Sequence, residues 1–199
     1  MRRQNLEEKI IYFEKSGKIN TQETLSLAVE RAKARGIQKI ILASTTGYTA
    51  RLLADKLIGT NITMVVIPHQ YTQERPQRFQ LELIPILERQ GHSVHFSTML
   101  FHTWDLYGVA IPRVMAVLLR TFCQGMKVCL EITLMAVDGG CIASGEKVVA
   151  IAGDGGGADT AVTALAASSR DLPNLHIMEI ICKPVQTQQR VPNFVPLEG

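Results

Sequence analysis

Residues 39–57 read KIILASTTGYTARLLADKL, and this stretch decides the fold. Ile40, Ile41 and Leu42 form a continuous apolar run of strand length, while Ala50, Leu53, Ala54 and Leu57 recur at helical spacing. Between them lie four serine and threonine hydroxyls and a glycine, Ser44-Thr45-Thr46-Gly47-Tyr48-Thr49. The reading is a buried strand, a polar turn and an amphipathic helix. Such a loop points unpaired amides and the positive end of the helix dipole at whatever lies above the strand, so it suits an anion. Ser44, Thr45, Thr46 and Thr49 can donate to phosphate oxygens, and Gly47 permits close approach or positive φ. The loop has no lysine and is not a nucleoside-triphosphate P-loop. An ordinary helix cap is the competing reading of its hydroxyls.

The same alternation extends in both directions. Residues 10–13 read as a short strand, followed by Asn20 and Thr21 as caps of a helix carrying Leu25, Ala28, Val29 and Ala32 and ended by Gly36. Residues 62–67 are a buried strand, 69–76 a polar loop, and 77–90 a helix that Pro85 should kink. Residues 93–96 form a further short strand, 99–108 stay irregular, and a helix begins near Pro112. The apolar run 126–137 fits a strand or a helix buried all round, and its length favours the helix. Strands follow at 147–152, 160–166 and 176–182, and the tail from Pro184 cannot continue regular structure. Alternating strands and helices predict a three-layer α/β/α sandwich with a mostly parallel mixed sheet, as one domain over 1–184 with a proline-containing tail over 185–199. Ligand is expected at the carboxyl ends of the strands, across the switch between those ending near Ala43 and Ala152.

Composition narrows the function classes. The 199 residues carry 21 basic and 18 acidic groups, a net charge of +3, with 46% hydrophobic and 20% charged residues. This is a chain able to bury a core, with no basic run for nucleic acid. No stretch reads as a membrane span or signal-peptide core. Cys123, Cys129, Cys141 and Cys182 show neither disulfide-framework nor zinc spacing, so they are read as reduced, mostly buried thiols in the cytoplasm.

A second glycine-rich loop, Gly153-Asp154-Gly155-Gly156-Gly157-Ala158-Asp159-Thr160, leaves the strand at 147–152. It is a candidate for close backbone contact with a ligand, and a flexible turn is the competing reading. Asp154 and Asp159 suit sugar hydroxyls or a ring edge better than phosphate. Glu131 stands alone on an apolar surface, and a buried carboxylate needs a partner. That partner is either a bound ligand or a local lysine or backbone amide; a general acid or base role is a further option. Thr133 follows on the same element. His69 sits at another strand end, Asn20 and Thr21 lie beside one, and Arg51 is the cation nearest the first loop in sequence. Phe101, Trp104 and Tyr107 either cover a planar ligand or pack internally.

The hydroxyl loop resembles the phosphate loop of flavodoxins over six residues. More widely, ILASTTGYTARLLADK and GEKVVAIAGDGGGADTAVTAL are similar to the segment of the pyruvate kinase C-terminal domain that holds a sugar phosphate of its activator, and to that domain's glycine loop. YFEKSGKINTQETLSLAVERAKARGI, MKVCLEITLMAVDGG, GGGADTAV and EIICKP resemble the stand-alone pyruvate kinase C-terminal-like proteins of archaea and bacteria over about residues 10 to 184. The resemblance implies a five-stranded mixed sheet whose last strand is antiparallel, and flavin mononucleotide (FMN) as ligand. His69 and the Asn20-Thr21 pair match family positions. It does not imply kinase activity, since 199 residues leave no room for the catalytic barrel. The expectation is a binder of a small phosphorylated ligand, with no nucleic-acid or membrane partner. A flavin-dependent oxidoreductase and a sugar-phosphate or nucleotide-sensing regulatory module both remain open, and the tail is a candidate contact between copies in a homo-oligomer.

Overall fold

In β2 (Lys39–Ala43), Ile40 and Leu42 face one side of the sheet and Ile41 the other, and all three are fully buried. A strand covered on both faces needs helices above and below it. The computed structural model describes residues 5–72, 76–103, 108 and 110–186, and it supplies both layers. In chain order the elements are β1 (Ile11–Lys15), α1 (Thr21–Arg35), β2, α2 (Tyr48–Leu57), β3 (Thr63–Ile67), α3 (Ile84–Arg89), β4 (Ser93–Val94), α4 (Ile111–Arg120), α5 (Gln124–Asp138), β5 (Lys147–Ala152), β6 (Thr160–Leu165) and β7 (His176–Gln186). Helices α1, α2 and α3 cover the Ile40 face, where Leu25 and Leu53 are fully buried. Burial of each such leucine contributes roughly 1.5–3 kcal/mol. Helix α5 covers the Ile41 face through Ile132, Met135 and Ala136, and α4 packs on α5 around Ala116, Leu134 and Phe101.

The sheet has seven strands in the order β1-β7-β6-β5-β2-β3-β4. Only β6 opposes the rest: it pairs antiparallel with both β5 and β7, while the other pairs are parallel. Strands β2 to β6 alone form a five-stranded unit whose last strand is antiparallel, as the resemblance implies. The chain adds β7 and β1 along the β6 edge, so the final strand of the whole sheet runs with the majority.

Several boundaries differ from those expected. Pro85 does not kink a long helix; it occupies the first turn of the six-residue α3, where its missing N–H is harmless, after a single 3-10 turn at Leu81–Leu83. Strand β4 is only two residues long. Strand β7 continues past Pro184 to Gln186. Pairing with β6 ends at Cys182, and beyond it the strand pairs with β1 alone, Pro184 lying opposite Phe13. A proline is tolerated at such an edge. Strand β1 runs 11–15 rather than 10–13. The remainder of the tail, 187–199, lies outside the described residues, as do Trp104 and Tyr107.

The run 126–137 is helical throughout, within α5. All four cysteines are free, and Cys123, Cys129 and Cys182 are buried. Among the described residues no helix is long and apolar enough to cross a membrane, and no group of three His, Cys, Asp or Glu side chains could hold a metal ion.

Candidate ligand-binding site

From β2 the chain moves outward through β3 and β4, then returns to the other side of β2 as β5. The loops leaving the carboxyl ends of β2 and β5 therefore diverge and open a crevice between them. A cavity of about 410 Å³ fills it. Ser44, Thr45, Thr46 and Thr49 line it from the β2–α2 loop, Gly153 to Gly157 from the β5–β6 loop, and His69 from the end of β3. Helix α5 closes the far wall with Gln124, Val128, Glu131, Ile132 and Met135, joined by Ile67 and Met99, and Arg78 stands at the margin.

The hydroxyls of the first loop divide into two groups. Ser44 and Thr49 are buried and tied together: Thr49 Oγ1 lies 2.8 Å from Ser44 Oγ and 3.3 Å from the Ala43 carbonyl oxygen, and the Ala50 amide donates to Ser44 Oγ at 3.3 Å. This pair caps α2 from inside. Thr45 is half-buried and Thr46 exposed, and the amides of Thr45, Thr46 and Gly47 donate to no described residue. Gly47 adopts φ +88°, and a Cβ there would meet Leu83 Cδ2 at 2.8 Å. It is thus required by the turn and by packing, and it does not line the cavity. Tyr48 also turns away, its ring lying beneath Lys18 Nζ at 4.1 Å.

The glycine loop is shaped by its neighbours. Gly155 and Gly156 take positive φ, while a Cβ on Gly157 would lie 2.5 Å from Lys18 Cα and 2.4 Å from Thr21 Oγ1. Asp159 is fully buried, with Oδ2 accepting the Gly17 amide at 2.8 Å and the Asp154 amide at 3.3 Å, and Oδ1 accepting the Thr160 hydroxyl at 2.7 Å. Burial pushes its pKa above the ordinary 3.8, against the pull of those hydrogen bonds. Thr21 Oγ1 donates to the Lys18 carbonyl and accepts the Ala158 amide at 3.1 Å. Asn20 Nδ2 donates to the Lys15 carbonyl at 2.7 Å, and Thr133 Oγ1 to the Cys129 carbonyl at 2.7 Å. None of Asn20, Thr21, Thr133, Asp159 and Thr160 lines the cavity: Thr21, Asp159 and Thr160 stand one layer behind its glycine wall, Asn20 and Thr133 are tied to the backbone elsewhere, and Asp154 lines it.

Glu131 lines the cavity although only 1% exposed. Its Oε1 accepts the Phe101 amide at 2.8 Å, and its Oε2 is ion-paired with Lys127 Nζ one helical turn earlier. Both local partners considered from the sequence, a lysine and a backbone amide, are present. Burial pulls the Lys127 pKa below its ordinary value, opposed by the carboxylate. His102 Nδ1 lies 4.0 Å from Oε1, and its pKa is lowered by burial first and by the Lys127 charge second. His69 is half-buried, its Nδ1 3.1 Å from the Gln70 carbonyl oxygen.

Arg51, nearest the loop in sequence, is exposed and bonded to Gln80 on the outside of α2. Arg78 takes the cavity margin instead, and its exposed guanidinium bonds no described residue. No periodic pattern marked it. The α5 contribution was more accessible: positions 124, 128, 131, 132 and 135 share one helix face, which Glu131 alone identified as wet. Phe101 is buried against α4 and α5 and covers no ligand surface.

The class is that of a small three-layer α/β/α domain with a crevice at its strand reversal. Residues 22–164 match the family described as pyruvate kinase, alpha/beta domain, and the chain belongs to that family. Solved structures that resemble it include a pyruvate kinase from Cryptosporidium parvum, 16% identical over 73% of this chain and 22% of that one, with a TM-score of 0.41. Another, Cryptosporidium parvum pyruvate kinase in complex with ADP, is 15% identical over 80% of this chain and 23% of that one, with a TM-score of 0.36. The chain spans about a fifth of the length of these enzymes.

Proposed function

We propose that the switch-point cavity binds a phosphorylated planar cofactor, FMN, in a cytoplasmic protein of reduced thiols. The observation that carries this reading is the two-sided lining. One side offers Thr45, Thr46, the amides opening α2 and the Arg78 guanidinium, a set suited to a phosphomonoester. The other is an apolar wall of Ile67, Met99, Val128, Ile132 and Met135, suited to the face of an uncharged ring. The glycine loop lines the same cavity and offers its backbone to a sugar-like linker. A volume of about 410 Å³ falls in the range of small-molecule sites. The residues present fit the group, which would supply redox chemistry when bound; the chain's own contribution is to hold the phosphate, orient the ring and exclude water.

Membership of the pyruvate kinase alpha/beta domain family favours a second reading, a sugar-phosphate or nucleotide sensor without catalysis.

Titration of the purified protein with FMN, followed by fluorescence quenching, tests the first reading. Saturable binding is expected, and Arg78→Gln and Thr46→Val should each weaken it roughly tenfold by removing a phosphate donor. Arg78 is exposed and bonds no described residue, so the melting temperature of Arg78→Gln without ligand should hold, whereas Thr46→Val also removes the acceptor of the Tyr48 amide. Bleaching of the bound flavin by a nicotinamide donor distinguishes an oxidoreductase from a passive binder. Absence of flavin binding, with stabilisation by a sugar bisphosphate, replaces the first reading by the second.

A further inference from the structure

The Lys127–Glu131 pair is out of place on stability grounds. Both side chains are 1% exposed, and they sit on a helix whose neighbouring wall residues, Val128, Ile132 and Met135, are apolar. Replacing a buried ion pair by apolar residues of similar volume is often neutral or stabilising. Packing alone therefore does not call for these charges.

Their geometry suggests what does. Glu131 lines the cavity, but neither of its protein donors does: Lys127 grips Oε2 and the Phe101 amide grips Oε1, both from outside the cavity. An ionised carboxylate is acceptor-only and offers about four lone-pair sites. Two are used by these donors, which leaves acceptor capacity on a side chain that lines the cavity. Lys127 in turn is held over the Phe101 ring, 5.4 Å from its centroid, and makes no other described hydrogen bond. The carboxylate is thus fixed in place by a partner that never meets the ligand.

We propose that this pair is the specificity element of the cavity. Glu131 accepts a hydrogen bond from an N–H on the ring of the bound ligand, and Lys127 is the positioning residue that holds the carboxylate toward it. The ligand class is then a planar ring with an imide- or amide-type N–H at the edge that reaches α5, and rings blocked by carbon at that position are rejected. The inference rests on the reading of this cavity as a flavin site, since the flavin pyrimidine edge carries such an N–H between two carbonyls.

Two probes decide it: FMN, and the same molecule methylated at N3. The wild-type protein should bind the unmethylated compound at least about tenfold more tightly, because methylation leaves the carboxylate facing a group that cannot donate. In Lys127→Met/Glu131→Met, which keeps side-chain volume and removes both charges together, the ratio of the two affinities should fall toward one. A purely structural pair would leave that ratio unchanged. If the double variant does not fold, Lys127→Met/Glu131→Gln answers the same question: the Phe101 amide retains the amide oxygen, the NH2 takes the place of the oxygen that Lys127 held without facing a second donor, the carboxylate acceptor is lost, and the ratio should fall. Equal binding of both probes by the wild type, or an unchanged ratio in the folded variant, overturns this inference and leaves the flavin reading standing. Failure of the wild type to bind either probe overturns both.

Discussion

Substitution of Gly47 by alanine probes the loop that launches α2. Two terms add. The backbone at Gly47 lies at φ +88°, ψ −9°, a left-handed conformation in which a Cβ raises the energy by about 1–2 kcal/mol. The new methyl would also lie 2.8 Å from Leu83 Cδ2, while Phe79 Cε2 at 3.6 Å stays at ordinary contact distance. Leu83 and Phe79 are each 3% exposed, so the leucine tip moves only by disturbing its packing, and overpacking of this kind costs about 1–3 kcal/mol. The expected loss for Gly47→Ala is about 2–5 kcal/mol, a large part of a typical domain's stability. The two terms separate in a Leu83→Val background, which removes the colliding Cδ atoms at a cost of about 1 kcal/mol. There Gly47→Ala should cost only the backbone term. Urea unfolding of the four proteins gives the coupling directly. Equal losses in both backgrounds, or a loss below about 1 kcal/mol in the wild type, would refute the reasoning.

The ion cluster that fastens the segment before β1 to α1 and β7 gives a pH test: the Glu179 pKa is pulled below its ordinary 4.5, first by the Arg35 hydrogen bond and then, against burial, by Arg31. The folded state therefore holds this carboxylate ionised to lower pH than the unfolded chain, so its contribution is complete above pH 4.5 and disappears as pH falls through the folded value. The stability gap between wild type and Glu179→Gln should be flat above that pH and narrow below it, and urea unfolding at stepped pH that finds a constant gap contradicts the assignment. Asp159→Asn places an NH₂ against one of three donors and should cost about 1–3 kcal/mol. Hydrogen exchange at the Gly17 amide should accelerate together with that loss, and an unchanged Gly17 rate would show that the bond to Asp159 is not what protects it.

What could be read in advance follows from how local each signal is. The β2–α2 unit was legible because apolar run, turn and helical spacing lie within nineteen residues and agree with one another. Placing the ligand across the switch between β2 and β5 presupposed that the two strands are neighbours, and the register Ile41↔Ala150 bears that out. The seven-stranded width was not legible. Strand β1 finds its partner some 170 residues away, and the proline within β7 reads as a terminator until its edge position is known. The fourteen-residue helix expected over 77–90 failed for a related reason: a proline inside an apolar periodic pattern also fits a start, and Ile84–Arg89 uses it so. Within the site, residue types were better guides than residue positions. The loops were identified, but which hydroxyl of Ser44 to Thr49 turns inward depends on whether Ser44 and Thr49 satisfy each other, and no spacing rule states that. A lysine partner for Glu131 was legible, because the length of the run favoured a helix and on a helix the i, i+4 pairing with Lys127 follows at once.

The residues set one layer back from the cavity explain how so glycine-rich a loop can form a wall. Gly155 and Gly156 alone would give the β5–β6 connection wide conformational freedom. It is clamped at its return by the turn before α1: Gly157 fits beneath Lys18 and Thr21, the Ala158 amide donates to Thr21 Oγ1, and Asp159 gathers the amides of Gly17 and Asp154. The clamp comes from a segment 137 to 142 positions away, carried to this place because β1 joins the sheet beside β7 rather than beside β2. The two added edge strands therefore bear on the site: they position the β1–α1 turn against the glycine loop. An anchored loop loses less conformational entropy when a ligand arrives. On this argument Thr21, Asp159 and Thr160 belong to binding through the shape they impose, and loosening any of them should weaken ligand affinity and fold stability together, whereas a change at Arg78 should weaken affinity alone.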